Sequence, residues 1–429
     1  MIQDLYKRFV SSTGISTDTR KIEPGNIFFA LKGPNFNANK FAQKALSSGA
    51  SMAVVDEEKY ATSTNTIQVN NVLHTLQELA NYHRQQLKIP VLGITGSNGK
   101  TTTKELIKTV LTKKFKCQAT QGNLNNHIGV PLTILSLDKD VEIAIVEMGA
   151  NKLGDIRELC QIAEPTHGII TNIGKAHTEG FGDFEGVLRG KSELYHWLIQ
   201  HEGLVFINSE DPVLMNMSKR FENPILYPGA DDYSHSSLVE ANPWVTLENE
   251  GKDIIRTHLI GRYNFSNIAA ALCIGKYFGV DPGKASAAVS QYVPSNNRSQ
   301  VLSIGTNTII LDAYNANPDS MSAAIENLSN MDGDNKVLIL GDMFELGSLT
   351  EEEHRKIGEL TASGSFDEVI FCGERMQYAF EANKSARYFK TRTELENYIE
   401  SCIFEDSVLL IKGSRGMALE VIAHKIQTS

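Results

Sequence analysis

The chain has 429 residues, 41% of them apolar and 21% charged, with 33 Gly and 12 Pro; at roughly 150 residues per domain this predicts three globular domains and excludes a disordered or fibrous chain. Its 41 Lys and Arg against 51 Asp and Glu leave a net charge of −10, which argues against a general binder of nucleic acid or anionic membrane while leaving room for a local basic phosphate site.

The opening MIQDLYKRFV carries Asp4, Lys7 and Arg8 where a signal peptide has its apolar stretch, and no run of about 18 apolar residues follows. Cys117, Cys160, Cys273, Cys372 and Cys402 are odd in number and scattered, without a C-x-x-C pair. A disulfide framework or zinc site is not expected, and a cytoplasmic location without membrane insertion is.

Residues 1–89 read as a small α/β domain: strand-like 27–31, a helix over 41–48, a strand at 52–55, then an amphipathic helix placing Val72, Leu73, Leu76, Leu79, Ala80, His83 and Leu87 at helical spacing before Pro90. Over 90–298, short β-branched runs alternate with helices: strands at 91–95, 141–147, 168–173 and 203–207, and helices at 101–115, 152–162 and 184–199. Such alternation implies βαβ crossovers and a mostly parallel sheet. A β-rich insertion over 225–259 precedes a helix at 264–279, and the polar string 294–299 is a linker. Alternation resumes over 299–429, with strands at 308–312, 336–341, 368–372 and 407–411 and helices at 319–329, 351–362, 392–402 and 416–426, predicting a Rossmann-like third domain.

The sharpest chemical signal is Val91-Leu-Gly-Ile-Thr-Gly-Ser-Asn-Gly-Lys-Thr-Thr-Thr103, a strand entering a Gly-rich turn and then a helix. In such a loop, backbone N–H groups curl around phosphate oxygens, Lys100 adds charge, and the Thr101 hydroxyl is placed to reach Mg²⁺. Ile94 stands where the strict pattern has Gly, so the loop is a variant with Gly93 and Gly96 displaced.

Glu147 ends a buried strand at the edge where parallel sheets bind ligands, and is either a metal-binding carboxylate or an ordinary strand end. Thr171 to His177 forms a polar cluster at another strand end, although a lone His is usually structural. Lys191, among inward-facing Val187, Leu188, Leu194, Tyr195 and Leu198, reads as a solvated lysine. Asn123, Asn125 and Asn126 either recognise a polar substrate or make turns. Asp312 with Asn315 and Asn317, and Lys412 with Arg415, end two later strands in groups suited to a binding edge.

Together these motifs resemble the Mur ligase family, ATP-dependent amide-forming enzymes of peptidoglycan precursor synthesis, over nearly the whole chain. The resemblance rests on Gly93 to Lys104, Gly122-Asn-Leu-Asn-Asn126 with Ile128-Gly-Val-Pro131, Val146-Glu-Met-Gly149, Ala176-His177 with Glu179-Gly-Phe-Gly182, Gly261-Arg-Tyr-Asn264 with Asn267, Asp312 with Tyr314-Asn-Ala-Asn317, Gly341-Asp-Met343 with Glu345-Leu-Gly347, and Lys412-Gly-Ser-Arg415.

It implies that Gly96, Ser97, Asn98, Gly99, Lys100, Thr101 and Thr102 hold ATP phosphates, that Asn267 contacts adenine, that Arg298 approaches the phosphates, and that Asp312 orients the nucleotide. Thr101 and Glu147 would bind a first Mg²⁺; His177 and a carbamylated Lys191 would serve a second. Lys100, Glu147, His177 and Lys191 are thus the implied catalytic group. Ser16 to Arg20, with Thr19 and Arg20, looks like the family's uridine-nucleotide-binding start, and Asn125, Asn126, Asn315, Asn317, Lys412 and Arg415 are implied substrate contacts.

The implied substrates are UDP-N-acetylmuramoyl-tripeptide and D-alanyl-D-alanine, joined by a monomer. A sister ligase adding a diamino acid would carry an Asp-Asn-Pro-Arg string, which is missing here. A GTP-binding switch would carry Asn-Lys-x-Asp, and Asn151-Lys-Leu-Gly-Asp155 is one residue too long. Two stretches depart from the family's usual form: Asn37-Ala38 replaces Asp-Gly, and the linker reads Asn297-Arg298-Ser299 in place of Gly-Arg.

Overall fold

The computed structural model describes residues 1–175, 178–295 and 297–426, and only the backbone of Thr178. The first sheet has four parallel strands in the order Ile15–Ser16, Ile27–Phe29, Met52–Val55 and Thr66–Gln68. Alternation along the strands sends Phe28, Ala53 and Val55 to one face, over Ala42 and Ala45, and Ile27, Phe29 and Val54 to the other, against Leu76 and Leu79. The helix expected at 41–48 is Ala42–Ser47, entered through a 3₁₀ turn at Ala38–Phe41.

Helix Val72–Gln86, capped by Asn71, which accepts the His74 N–H at 2.9 Å, joins the first unit to the second. Arg84 donates to the Ala163 and Glu164 carbonyls at 2.9 and 3.1 Å, Asn81 donates to the Gln161 carbonyl at 2.8 Å, and one apolar core continues from Leu76 into Val130, Val146 and Leu159.

The central sheet has six parallel strands in the order Ile225–Tyr227, Leu204–Asn208, His167–Ile170, Val91–Thr95, Ile143–Glu147 and Cys117–Ala119. Its middle strands are buried along nearly their whole length because helices cover both faces, and their polar residues, such as Thr95 and Glu147, stand at the strand ends. From Val91–Thr95 the chain first runs to one side of the sheet and later crosses to the other, so a crevice opens at that strand's C-terminal end.

Of the expected insertion at 225–259, Ile225–Tyr227 instead extends the central sheet. Only Ser236–Ala241, Trp244–Asn249 and Ile254–Ile260 form a separate antiparallel sheet. A three-residue edge strand is too short to announce parallel pairing in sequence.

The third sheet runs Gln300–Ile304, Asn307–Asp312, Val408–Lys412, Lys336–Gly341, Glu368–Cys372, Arg387–Phe389, antiparallel only in its first pair. The continuous helix expected at 416–426 is broken into a 3₁₀ turn at Arg415–Met417 and a short helix Glu420–Ala423. Between them Ala418 adopts φ 49°, and Leu419 and Ile422 drop into the core under Ile411. No described helix is long and apolar enough to cross a membrane, and all five cysteines are free thiols.

Candidate active site

Strand Val91–Thr95 turns through Gly96 to Gly99 into helix Lys100–Leu111. Gly96 and Gly99 have φ of 146° and 79°, which glycine adopts without steric cost, and a Cβ at Gly99 would stand 2.7 Å from Asn267 Oδ1. The loop is braced from the neighbouring strand end. The Asn98 N–H donates to Asn172 Oδ1 at 2.9 Å, while Asn172 Nδ2 and the Thr171 hydroxyl donate to the Asn98 carbonyl at 3.0 and 2.6 Å. The polar cluster at 171–174 therefore shapes the loop, and the N–H groups of a helix's first turn, which lack carbonyl partners within the helix, suit an anion.

Lys100 is half-buried and folds back to donate to the Gly96 and Ser97 carbonyls at 2.6 and 3.0 Å. Burial pushes its pKa down to about 8, a shift opposed by the Glu147 carboxylate and assisted by the Arg298 guanidinium.

Glu147 is 1% exposed at the end of the adjacent strand. Its two oxygens accept from the Thr101 hydroxyl at 2.9 Å and the Asn125 amide at 2.8 Å. Lys104, fully buried one helical turn beyond Lys100, comes within 3.6 Å of the same carboxylate and donates to the Thr120 carbonyl at 2.7 Å. Lys104 stands in the loop motif, and its spacing from Lys100 is the signal that could have marked it. The hydroxyl and carboxylate oxygens of Thr101 and Glu147 form a donor pair that would suit a hard cation such as Mg²⁺. Among the described residues no three His, Cys, Asp or Glu cluster as an all-protein metal cage.

His177 lies outside the described residues. Lys191 corrects the expectation of a solvated lysine, for its side chain is 0% exposed. Its ammonium donates to the Ala150 carbonyl at 3.3 Å and sits 5.4 Å from the centre of the Phe181 ring. Gly186 and Gly190 make room for Phe181 to close over it. Burial lowers its pKa well below the ordinary value; the Lys100 charge adds to the shift, and Asp155 and Glu193 oppose it.

A cavity of about 770 Å³ joins the phosphate loop and Glu147 to the third sheet, while Lys191 lies outside its lining. It is lined by Ser97, Asn98, Gly99, Lys100, Thr101, Thr102, Asn125, Asn126, Glu147 and Asn267 from the central domain, by Arg298 of the linker, and by Asp312, Asn315, Asn317 and Lys412. Lys412 is buried and ion-paired with Asp312, whose other oxygen accepts the Ser299 N–H at 3.0 Å. Asn317 Nδ2 donates to Asn98 Oδ1 at 2.7 Å. Asp319 accepts the Lys175 N–H at 2.7 Å, and Glu353 lies 3.2 Å from the Lys175 ammonium.

Asn172, Tyr263, Asn264, Tyr314 and Asp319 line the cavity too; the first four stand in stretches the sequence singled out without giving them individual roles, and Asp319 lies just beyond one, its place on the wall set by the strand order. Arg415 lies beyond the lining and pairs with Glu420 at 2.9 Å. Thr19 and Arg20 lie apart from the cavity on a 3₁₀ turn, with Arg20 exposed and paired with Asp18 at 2.6 Å.

Comparison with known proteins places the same three units in one family. Residues 11–89 match the Mur ligase family catalytic domain, 94–275 the Mur ligase middle domain, and 297–415 the Mur ligase glutamate ligase domain. The UDP-N-acetylmuramoyl-tripeptide–D-alanyl-D-alanine ligase of Bacillus subtilis (strain 168) is 34% identical, covering 95% of this chain and 92% of its own. Among solved structures, MurF from Acinetobacter baumannii superposes with a TM-score of 0.88 at 28% identity over 98% of both chains. MurF ligase from Thermotoga maritima in complex with ADP does so at 0.84 and 27%, over 96% of this chain and 97% of its own.

Proposed function

The chain belongs to the Mur ligase family, and from that premise we propose its reaction: ATP-dependent joining of D-alanyl-D-alanine to the peptide carboxylate of UDP-N-acetylmuramoyl-tripeptide, with release of ADP and phosphate. The observation that carries this reading is the single cavity in which Lys100, Thr101 and Glu147 of the central domain face Asp312, Asn315, Asn317 and Lys412 of the third.

A carboxylate is a poor electrophile, so phosphoryl transfer from ATP converts it to an acyl phosphate. The dipeptide amine then attacks the acyl carbon, the carbon–oxygen bond to phosphate breaks, and the amine loses its proton. Lys100 and the N–H groups of the loop bind the phosphates and offset their developing charge. Asn267, behind Gly99, is assigned to adenine, Arg298 to the outer phosphates and Asp312 to orienting the nucleotide. Thr101 and Glu147 would hold Mg²⁺, which when bound shields the phosphate oxygens.

Lys191 is enclosed and its amine is held toward the neutral form that adds CO₂ with loss of a proton, which supports a carbamate; with His177 it would serve a second Mg²⁺. Residues 1–89, with Thr19 and Arg20, are assigned to the nucleotide sugar, and Asn125 and Asn126 to its peptide. Residues 90–298 are assigned to ATP, and residues 299–429, with Asn315, Asn317, Lys412 and Arg415, to the dipeptide. The chain is assigned as a monomer. Free thiols throughout support a cytoplasmic setting.

Phosphate release measured with ATP, Mg²⁺, UDP-tripeptide and D-alanyl-D-alanine, each omitted in turn, should require all four. Turnover with a free diamino acid in place of the dipeptide would move the chain to a sister ligase.

A further inference from the structure

Arg298 occupies a linker whose backbone is held in an unusual way. Its neighbours Asn297 and Ser299 have φ of 57° and 47°, a left-handed conformation that costs residues with side chains and persists where surrounding contacts impose it. On the central side, the Tyr263 and Ser299 hydroxyls pair at 2.9 Å where the linker leaves that domain. On the other side the linker is bonded to the third sheet: the Ser299 N–H donates to Asp312 Oδ1 at 3.0 Å, and the Tyr314 N–H donates to the Asn297 carbonyl at 3.2 Å. The Arg298 guanidinium carbon lies 3.6 Å from the centre of the Tyr314 ring. Its Nε is buried and has no hydrogen-bond acceptor among the described residues.

We propose that Tyr314 is a positioning residue that holds the Arg298 guanidinium toward the outer phosphates of the nucleotide, so that the third domain carries its own phosphate-binding arginine to the loop. This rests on the reading of the cavity as an ATP site. Stacking uses the face of the guanidinium and leaves its N–H edge free to donate, a geometry suited to phosphate oxygens. A buried donor without an acceptor is costly, and Lys100 and Arg298 bring like charge into one cavity; an anion between them relieves both. Because the linker is bonded at Asp312 and Tyr314, a displacement of the third sheet displaces Arg298 with it.

Nucleotide binding without the other substrates tests this separately from the ligase reaction. Affinities of a non-hydrolysable ATP analogue and of ADP, both with Mg²⁺, are measured by competition with a fluorescent nucleotide. Tyr314→Phe should stay within about twofold, whereas Tyr314→Leu should weaken the analogue about tenfold and ADP less than about threefold, the scale of one cation–π contact. In an Arg298→Ala background, Tyr314→Leu should change analogue affinity by less than about twofold, as expected when two residues act through one contact. Equal weakening of analogue and ADP, the same loss in both backgrounds, or no loss would overturn the proposal. A thermal melt of each variant identifies a folding defect, in which case Tyr314→His, which keeps an aromatic face, must restore the analogue preference or the proposal fails. Failure of the unaltered protein to bind either nucleotide would overturn the ATP-site reading itself.

Discussion

Asn317 and Asn98 join the third domain to the phosphate loop. The Asn317 amide donates to Asn98 Oδ1 at 2.7 Å, while its own Oδ1 caps helix Pro318–Asn330 by accepting the Ser320 N–H at 2.9 Å. One side chain thus starts a helix and fastens it to the opposite wall of the cavity. Asn317→Ser keeps a capping oxygen but is too short to reach Asn98. It should leave the melting temperature within about 3 °C and lower kcat about tenfold, by loosening closure that excludes water from the acyl phosphate. A variant that keeps full turnover would reduce Asn317 to a helix cap.

Lys100 should make nucleotide affinity depend on pH. With its pKa at about 8 in the free protein, the amine is already charged below that pH, and phosphate binding is insensitive there. Above it, binding must recruit a proton, so affinity falls by up to about tenfold per pH unit toward the ordinary lysine value. The same group acts oppositely on folding: between these pH values the unfolded chain holds the proton and the folded chain does not, so its contribution to stability rises with pH. Calorimetry in buffers of different ionisation enthalpy reads the proton uptake. Lys100→Ala should abolish that uptake and cost more than about 10³ in turnover with the fold intact.

Glu147→Gln should affect metal and fold together. The amide keeps a partner for Thr101 but gives Mg²⁺ a weaker oxygen, so turnover should fall more than about 100-fold and the Mg²⁺ concentration needed should rise. Lys104 is left buried with Glu105, at 3.1 Å, as its remaining carboxylate, and urea unfolding should report a loss of about 1–3 kcal/mol, below the cost of stripping a buried charge of all partners. Unchanged Mg²⁺ dependence would remove Glu147 from the metal site.

Lys191→Ala should be nearly inactive, and a short carboxylic acid in solution should partly restore it by standing in for the carbamate. Removing CO₂ should lower the activity of the unaltered protein, and carbon-13 carbonate should yield a carbamate resonance that Lys191→Ala lacks. A bare, active lysine in CO₂-free buffer would leave Lys191 as a buried amine bonded to Ala150.

The phosphate loop is legible in sequence because strand, turn and helix form one contiguous segment whose glycines and lysine act locally. Glu147 is legible as a strand end, but its partners Thr101, Lys104 and Asn125 come from a helix and a turn that only the sheet order gathers. Lys191 shows a local pattern outweighed by a charge. Val187, Leu194, Tyr195 and Leu198 are buried, and position 191 falls on the same helical face, yet a lysine reads as solvated until Phe181 is seen to close over it. Lys412 and Asp312 are 100 residues apart and meet because Val408–Lys412 inserts between two earlier strands, an order that periodicity does not encode. Helix Ile2–Val10 goes unread because its charges, which speak against a signal peptide, also mask a nine-residue amphipathic turn pattern.

The shared core through Leu76, Val130 and Leu159, with Arg84 clasping the Ala163 and Glu164 carbonyls, welds the first unit to the sheet that bears the phosphate loop. The third unit meets its neighbours mainly through polar bonds and the small apolar contact at Ile260 and Trp244. If the nucleotide sugar is anchored on the first unit, the span from that anchor to Lys100 is a fixed ruler. A peptide one residue short would leave its carboxylate stranded before the phosphates, and one residue long would overrun them. Selection of chain length would then come from this welded frame, and selection of the amine from the more lightly attached third unit.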